Sequence, residues 1–128
     1  MADAPGRPRV LVVEDDPAVR SLWVAVLDDL GCTVAAVGDG ADALRQMETF
    51  RPQLILLDLV MPQAQMDGFD VLMRIEEFRV PVIVVSALGD ALRATISPRV
   101  AAVLSKPVAV YDLIREVNRL LASTSSAV

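Results

Sequence analysis

Three kinds of reactive side chain stand just after apolar runs in this chain. Glu14, Asp15 and Asp16 follow Val10-Leu11-Val12-Val13, and Asp58 follows Leu54-Ile55-Leu56-Leu57. Ser86 follows Val82-Ile83-Val84-Val85, and Lys106 comes shortly after Val100-Ala101-Ala102-Val103-Leu104. Clustered carboxylates repel one another and are best neutralised by a hard divalent cation. Mg2+ prefers oxygen donors and combines a carboxylate or two with waters and phosphate oxygens. An aspartate beside such an ion can act as a nucleophile towards phosphorus. Phosphoryl transfer needs mainly positioning and charge neutralisation, which an ammonium and a hydroxyl can supply. No Gly-rich phosphate loop is present, so a bound nucleotide is not indicated.

Each of these groups alone has an ordinary structural explanation. An acid after a strand caps the next turn or helix, a lone serine is a small loop residue, and a lysine on a loop is solvated. Lys106 is set apart because it is the only lysine beside eleven arginines. A compact ammonium and a planar guanidinium are not interchangeable at a tight anion site. The stronger argument is positional: all of these groups follow strands.

The strands themselves are read from short apolar runs that alternate with stretches of helical spacing. Runs as short and continuous as Leu54–Leu57 mark strands buried on both faces. Asp16-Pro17 opens a helix carrying Val19, Leu22, Trp23, Val26, Leu27 and Leu30, which Gly31 ends. Cys32–Val37 is a weaker strand. A second helix carries Ala43, Leu44, Met47 and Phe50 and stops at Pro52. A third carries Val71, Leu72, Ile75 and Phe78, a short fourth runs from about Leu88 to Ile96, and the last carries Val110, Leu113, Ile114, Val117, Leu120 and Leu121. Five strands alternating with five helices predict right-handed crossovers and a doubly wound parallel α/β sheet, (βα)5, whose carboxyl edge gathers the groups named above.

The chain has 128 residues, enough for one domain, and 54% of them are hydrophobic. We expect a loose N-terminal arm over 1–8, the domain over 9–122 and a frayed tail over 123–128. No apolar run approaches the length of a membrane span, and the first residues lack the pattern of a signal peptide, so a cytoplasmic protein without membrane contact is expected. A single cysteine, Cys32, excludes an internal disulfide and a thiolate cluster. The absence of histidine excludes Ser-His-Asp and Cys-His catalysis and histidine-bound zinc, and the chain cannot itself carry a phosphohistidine. A net charge of −5 gives no support to direct nucleic-acid binding.

Taken together, Val12-Val13-Glu14-Asp15-Asp16, Leu57-Asp58 with Met61-Pro62 and Asp67-Gly68, Val85-Ser86-Ala87 and Lys106-Pro107 resemble the signature of bacterial two-component response regulator receiver domains, from about Arg9 to Ala122. The resemblance implies a flavodoxin/CheY-like fold. It implies that Asp58 accepts a phosphoryl group from a phosphohistidine on a histidine kinase or phosphotransfer protein. Asp15 would bind Mg2+ directly, with Asp58 in the same set, Glu14 through water and Val60 through its backbone carbonyl. Ser86 would be the switch hydroxyl, Lys106 would pair with the phosphoryl oxygens, and the Lys106-Pro107 peptide would be cis. Signalling would then be a population shift in the surface of the fourth helix, fifth strand and last helix.

On this resemblance the chain is not an enzyme beyond Mg2+-dependent self-phosphorylation and autodephosphorylation. It would be a monomer or a phosphorylation-dependent homodimer. No run after Leu121 is long enough for a DNA-binding or catalytic domain, so output is expected through contact with a further, unidentified protein. A receiver cut from a larger regulator or hybrid kinase, and a phosphate-independent interaction module, are the alternatives. A phosphatase is disfavoured, because Val60 stands where a general acid would be needed.

Several positions depart from the family. The loop Pro62–Gly68 is longer by about two residues than the common form. Val103 replaces an aromatic that usually couples to the switch hydroxyl. Val60 and Leu88, both apolar, stand where phosphate lifetime is commonly tuned, which predicts slow autodephosphorylation. Trp23 has two readings, an exposed interface anchor or a cover for the first helix's apolar seam.

Overall fold

The computed structural model describes residues 6–87 and 97–125. In chain order the elements are β1 (Arg9–Val13), α1 (Pro17–Asp29), β2 (Thr33–Val37), α2 (Gly40–Thr49), β3 (Leu54–Asp58), α3 (Gly68–Arg74), a 3-10 turn (Glu76–Phe78), β4 (Val82–Ser86), β5 (Val100–Ser105) and α4 (Val110–Ser125). The expected short helix from Leu88 to Ile96 lies outside the described residues.

The strands form one sheet in the order β2-β1-β3-β4-β5, every pairing parallel. The chain leaves β1 first to one side and later returns to the other. The crevice at the carboxyl ends of β1 and β3 is therefore the switch point at which open α/β sheets bind ligands. The central strands explain the continuous apolar runs: Val10–Val13, Leu54–Leu57 and Val82–Val85 are wholly buried because helices cover both faces. Alternate residues divide between two cores. Leu11, Val13, Ile55, Leu57, Val82 and Val84 pack with Ala43, Met47, Val71, Leu72 and Ile75 from α2, α3 and the residue after it. Val10, Val12, Leu54, Leu56, Ile83 and Val85 pack with Trp23, Leu27, Leu113, Val117 and Leu120 from α1 and α4.

Of the helices that begin at the carboxyl edge among the described residues, α1, α2 and α3 are each capped by an aspartate. Asp16 accepts from the Ala18 and Val19 amides, Asp39 from Ala41, and Asp67 from Asp70. These satisfy amides that lack a partner in the first turn. Asp16 is thus a cap, while Glu14, Asp15 and Asp58 have no such duty.

Just before β1, Arg7 donates to the carbonyls of Gly31 and Cys32, and the Pro8 carbonyl accepts from Thr33. The structure departs from the sequence reading in places. Helical spacing through Phe78 overran α3, which ends at Arg74 before a 3-10 turn and a left-handed Arg79, φ 55°. At the other terminus, α4 ends at Ser125. Trp23 is buried at 4% exposure, so it covers the seam rather than standing out as an anchor, and Leu22 beside it is an exposed large apolar residue of α1. Among the described residues, no helix is long and apolar enough to cross a membrane.

Candidate functional site

At the carboxyl edge the carboxylates of Glu14, Asp15 and Asp58 converge, with one oxygen from each lying within 4.8 Å of the others. Strand register makes this unavoidable. Val13 pairs with Leu57, so the residues that follow, Glu14 and Asp58, emerge side by side. Asp58 pairs with Val85, and Ser86 with Ser105, so Ser86 and Lys106 continue the same edge. The Lys106 amide donates to the Ser86 carbonyl at 2.9 Å, and the Lys106-Pro107 peptide is cis.

Asp58 is 1% exposed. Its Oδ2 accepts from Lys106 Nζ at 2.9 Å, and its Oδ1 lies 3.4 Å from the Val60 amide. A buried carboxylate left alone would be costly, and the ammonium supplies the charge-assisted bond that keeps it in place. Asp15 Oδ2 accepts from the Gln63 amide at 3.2 Å. The Ser86 hydroxyl donates to the Ala87 carbonyl at 2.8 Å.

Glu14 is equally buried. Its Oε2 accepts from the Asp16 amide at 2.9 Å, while its Oε1 is buried with no hydrogen-bond partner. Burial pushes its carboxyl group up to about 7, with the charge of Asp58 and the Asp15 side chain adding to the effect and the Asp16 amide and Lys106 opposing it. An unpartnered carboxylate oxygen in a cluster of acids is a donor that a cation could take. The donors are all hard oxygens, which fits Mg2+ rather than a softer metal. Glu14, Asp15 and Lys106 line an open cavity of about 310 Å³ together with Asp16, Pro17, Val19, Val60, Pro62 and Gln63. Val60 is 44% exposed there, so its apolar side chain borders the approach to Asp58.

The structure thus brings Glu14, Asp15, Asp58, Val60, Ser86 and Lys106 to one edge. It also adds groups to which the sequence reading gave no role. Gly68 opens α3 directly against the site: a Cβ there would run into the carbonyl oxygen of Asp58. The Asp67-Gly68 pair signalled this turn, but not the close approach. The loop over 62–68 is tied at two points, because the Gln63 amide donates to Asp15 Oδ2 and the Gln65 amide donates to Asp39 Oδ2 at 2.8 Å. Arg20, one turn into α1, donates to the Glu14 carbonyl at 2.8 Å. Its spacing after the acids was the available clue.

Comparison with known proteins agrees with this geometry. Residues 10–118 match the family model of the response regulator receiver domain. The DNA-binding response regulator MtrA of Mycolicibacterium smegmatis is 38% identical over 87 residues, which are 67% of this chain and 37% of that protein. The response regulator receiver protein CpdR of Brucella abortus is 33% identical over 117 residues, covering 88% of this chain and 96% of that one. Among solved structures, the receiver domain of the Francisella response regulator 1452 superposes with a TM-score of 0.82 at 29% identity, covering 92% of this chain and 99% of the other. The chain therefore spans little more than a third of MtrA but nearly all of CpdR. MtrA is named for DNA binding, so the expectation of no direct nucleic-acid contact gains no support from the relatives.

Proposed function

This chain belongs to the response regulator receiver domain family, and from that premise we propose that Asp58 is its phospho-acceptor. The donor is a phosphohistidine on a histidine kinase or phosphotransfer protein. The observation that carries the reading is the Lys106 Nζ–Asp58 Oδ2 contact at 2.9 Å beside the Glu14–Asp15 pair. An Asp58 oxygen forms the new P–O bond as the donor's P–N bond breaks, and the released electron pair stays with the leaving imidazole.

Burial of Asp58 keeps bulk water from its carboxylate, and Lys106 holds that carboxylate in one orientation until the ammonium can turn to a phosphoryl oxygen. Ser86 would exchange its bond to the Ala87 carbonyl for one to the same group. Glu14, Asp15, Asp58 and the Val60 carbonyl are the groups that would hold Mg2+. When bound, the ion supplies neutralisation of the charge on the transferring phosphoryl group. The signal then passes to a partner protein by a population shift, with a cytoplasmic location as part of the same reading. Apart from transfer onto Asp58 and loss from it, no turnover is proposed.

The test is labelling with acetyl phosphate in Mg2+ and in EDTA, on wild type and Asp58→Asn, read by intact mass. One added phosphoryl group that requires both Mg2+ and Asp58 is expected. Folded, Mg2+-loaded wild type that stays unlabelled would overturn the reading in favour of a phosphate-independent interaction module.

A further inference from the structure

The guanidinium of Arg20 faces back from α1 onto the acidic loop. Its Nη1 donates to the Glu14 carbonyl at 2.8 Å and lies 3.5 Å from the Asp15 carbonyl. A trans peptide points its C=O and N–H in opposite directions. Holding the Asp15 carbonyl on the helix side therefore turns the Asp16 N–H to the other side, where it donates to Glu14 Oε2 at 2.9 Å. That bond occupies one carboxylate oxygen and leaves the other, Oε1, buried and unpartnered among the acids.

Gly38 completes the arrangement. A Cβ at this position would lie 2.8 Å from Arg20 Nη1 and 3.7 Å from the Glu14 carbonyl oxygen. A methyl group there would press on the guanidinium, while it would meet Glu14 only at ordinary contact distance from its backbone oxygen.

We infer that Arg20 is a positioning residue for the divalent-cation site: it fixes the Glu14–Asp16 backbone so that Glu14 presents one free oxygen to the ion, and Gly38 provides the clearance. The inference rests on the Mg2+ reading of the preceding section. Both contacts come from Nη1, whose direction the rigid guanidinium plane fixes, whereas an ammonium on a flexible stem is held less firmly. Groups that orient metal ligands, without touching the metal, commonly contribute 10–100-fold to affinity.

The test measures Mg2+ affinity by calorimetry, and Mn2+ uptake by electron paramagnetic resonance, on the full chain and on Arg20→Met, Arg20→Lys and Gly38→Ala. Thermal unfolding is recorded in EDTA, and acetyl phosphate labelling is followed at limiting and at saturating Mg2+. Arg20→Met is expected to weaken Mg2+ binding about tenfold or more. Gly38→Ala should shift it in the same direction although Arg20 is intact, and Arg20→Lys should recover part of the loss. Labelling by both damaged variants should approach wild type once Mg2+ saturates.

Melting temperatures that fall while Mg2+ affinity stays at the wild-type value would overturn the assignment and leave Arg20 as a structural brace. If Arg20→Met does not fold, Gly38→Ala decides between the same outcomes. Wild type that takes up no Mg2+ would overturn the site reading itself, and the role of Arg20 with it.

Discussion

Glu14 carries a proton in the folded protein at pH values where the unfolded chain has lost it. Its carboxyl group sits at about 7 against an ordinary 4.5, chiefly because burial disfavours the charged form. Below 4.5 both states are protonated, and Glu14 makes no difference between them. As pH rises from 4.5 to about 7 the unfolded chain ionises first, so its contribution to stability is lost across that window. In EDTA, Glu14→Gln is therefore expected to be more stable relative to wild type at pH 8 than at pH 5, by about 2–3 kcal/mol. Urea unfolding at the two pH values measures this, and a difference that does not change with pH would reject it. Val60 makes a second prediction at this scale. Its exposed apolar side chain borders the site and cannot orient an attacking water, so the labelled protein should lose phosphate slowly. Val60→Asn should speed that loss roughly tenfold or more. Decay of the wild-type adduct within seconds in Mg2+ would contradict it. Val103 packs into the core on the α2 and α3 side, so no aromatic is available at that position to follow the Ser86 hydroxyl.

The elements matter through where they begin. β1, β3, β4 and β5 deliver the reactive groups, and the aspartate-capped starts of α1, α2 and α3 crowd the same edge. α3 starts so close to Asp58 that its first residue has to be glycine. Gly68→Ala would press a methyl group into the Asp58 carbonyl, and the collision is with backbone rather than a movable side chain. A loss on the order of 3 kcal/mol is expected from overpacking, read by urea unfolding. A variant as stable as wild type would mean that α3 shifts freely. Element positions were legible where apolar periodicity was strong. They were misjudged where it was not interrupted, as when Ile75 and Phe78 continued a helical spacing across the 3-10 turn after Arg74. Backbone geometry, with Arg79 left-handed, ended the helix there without a glycine or proline to announce it.

Across the whole molecule, two cores on opposite faces of the sheet are joined through the same three central strands, and the acidic cluster sits at the end of two of them. Any ion bound there should stabilise the entire fold. Mg2+ at a hundredfold excess over its dissociation constant should add about 2.7 kcal/mol to unfolding. Asp15→Asn should abolish most of the gain. Denaturation midpoints in Mg2+ and EDTA provide the measurement, and equal midpoints for wild type would argue against specific binding.

The architecture, and which reactive groups share the carboxyl edge, could be read from the chain alone. Buried strands need continuous apolar runs, and the groups that follow parallel strands must share one edge, so Asp58, Glu14, Asp15, Ser86 and Lys106 could be placed together without coordinates. What each group does with its hydrogen bonds follows from packing between segments. That Asp58 bonds Lys106, that Ser86 turns to Ala87, that Glu14 keeps one oxygen unpaired, and that Arg20 reaches past Gly38 to the acidic loop all depend on distances between segments far apart in the chain. Trp23 shows the same limit: its spacing suited a seam or an anchor equally, and only packing between α1 and the sheet buried it. Periodicity encodes which face a residue occupies, but the partner it meets there is set by how the faces close on one another.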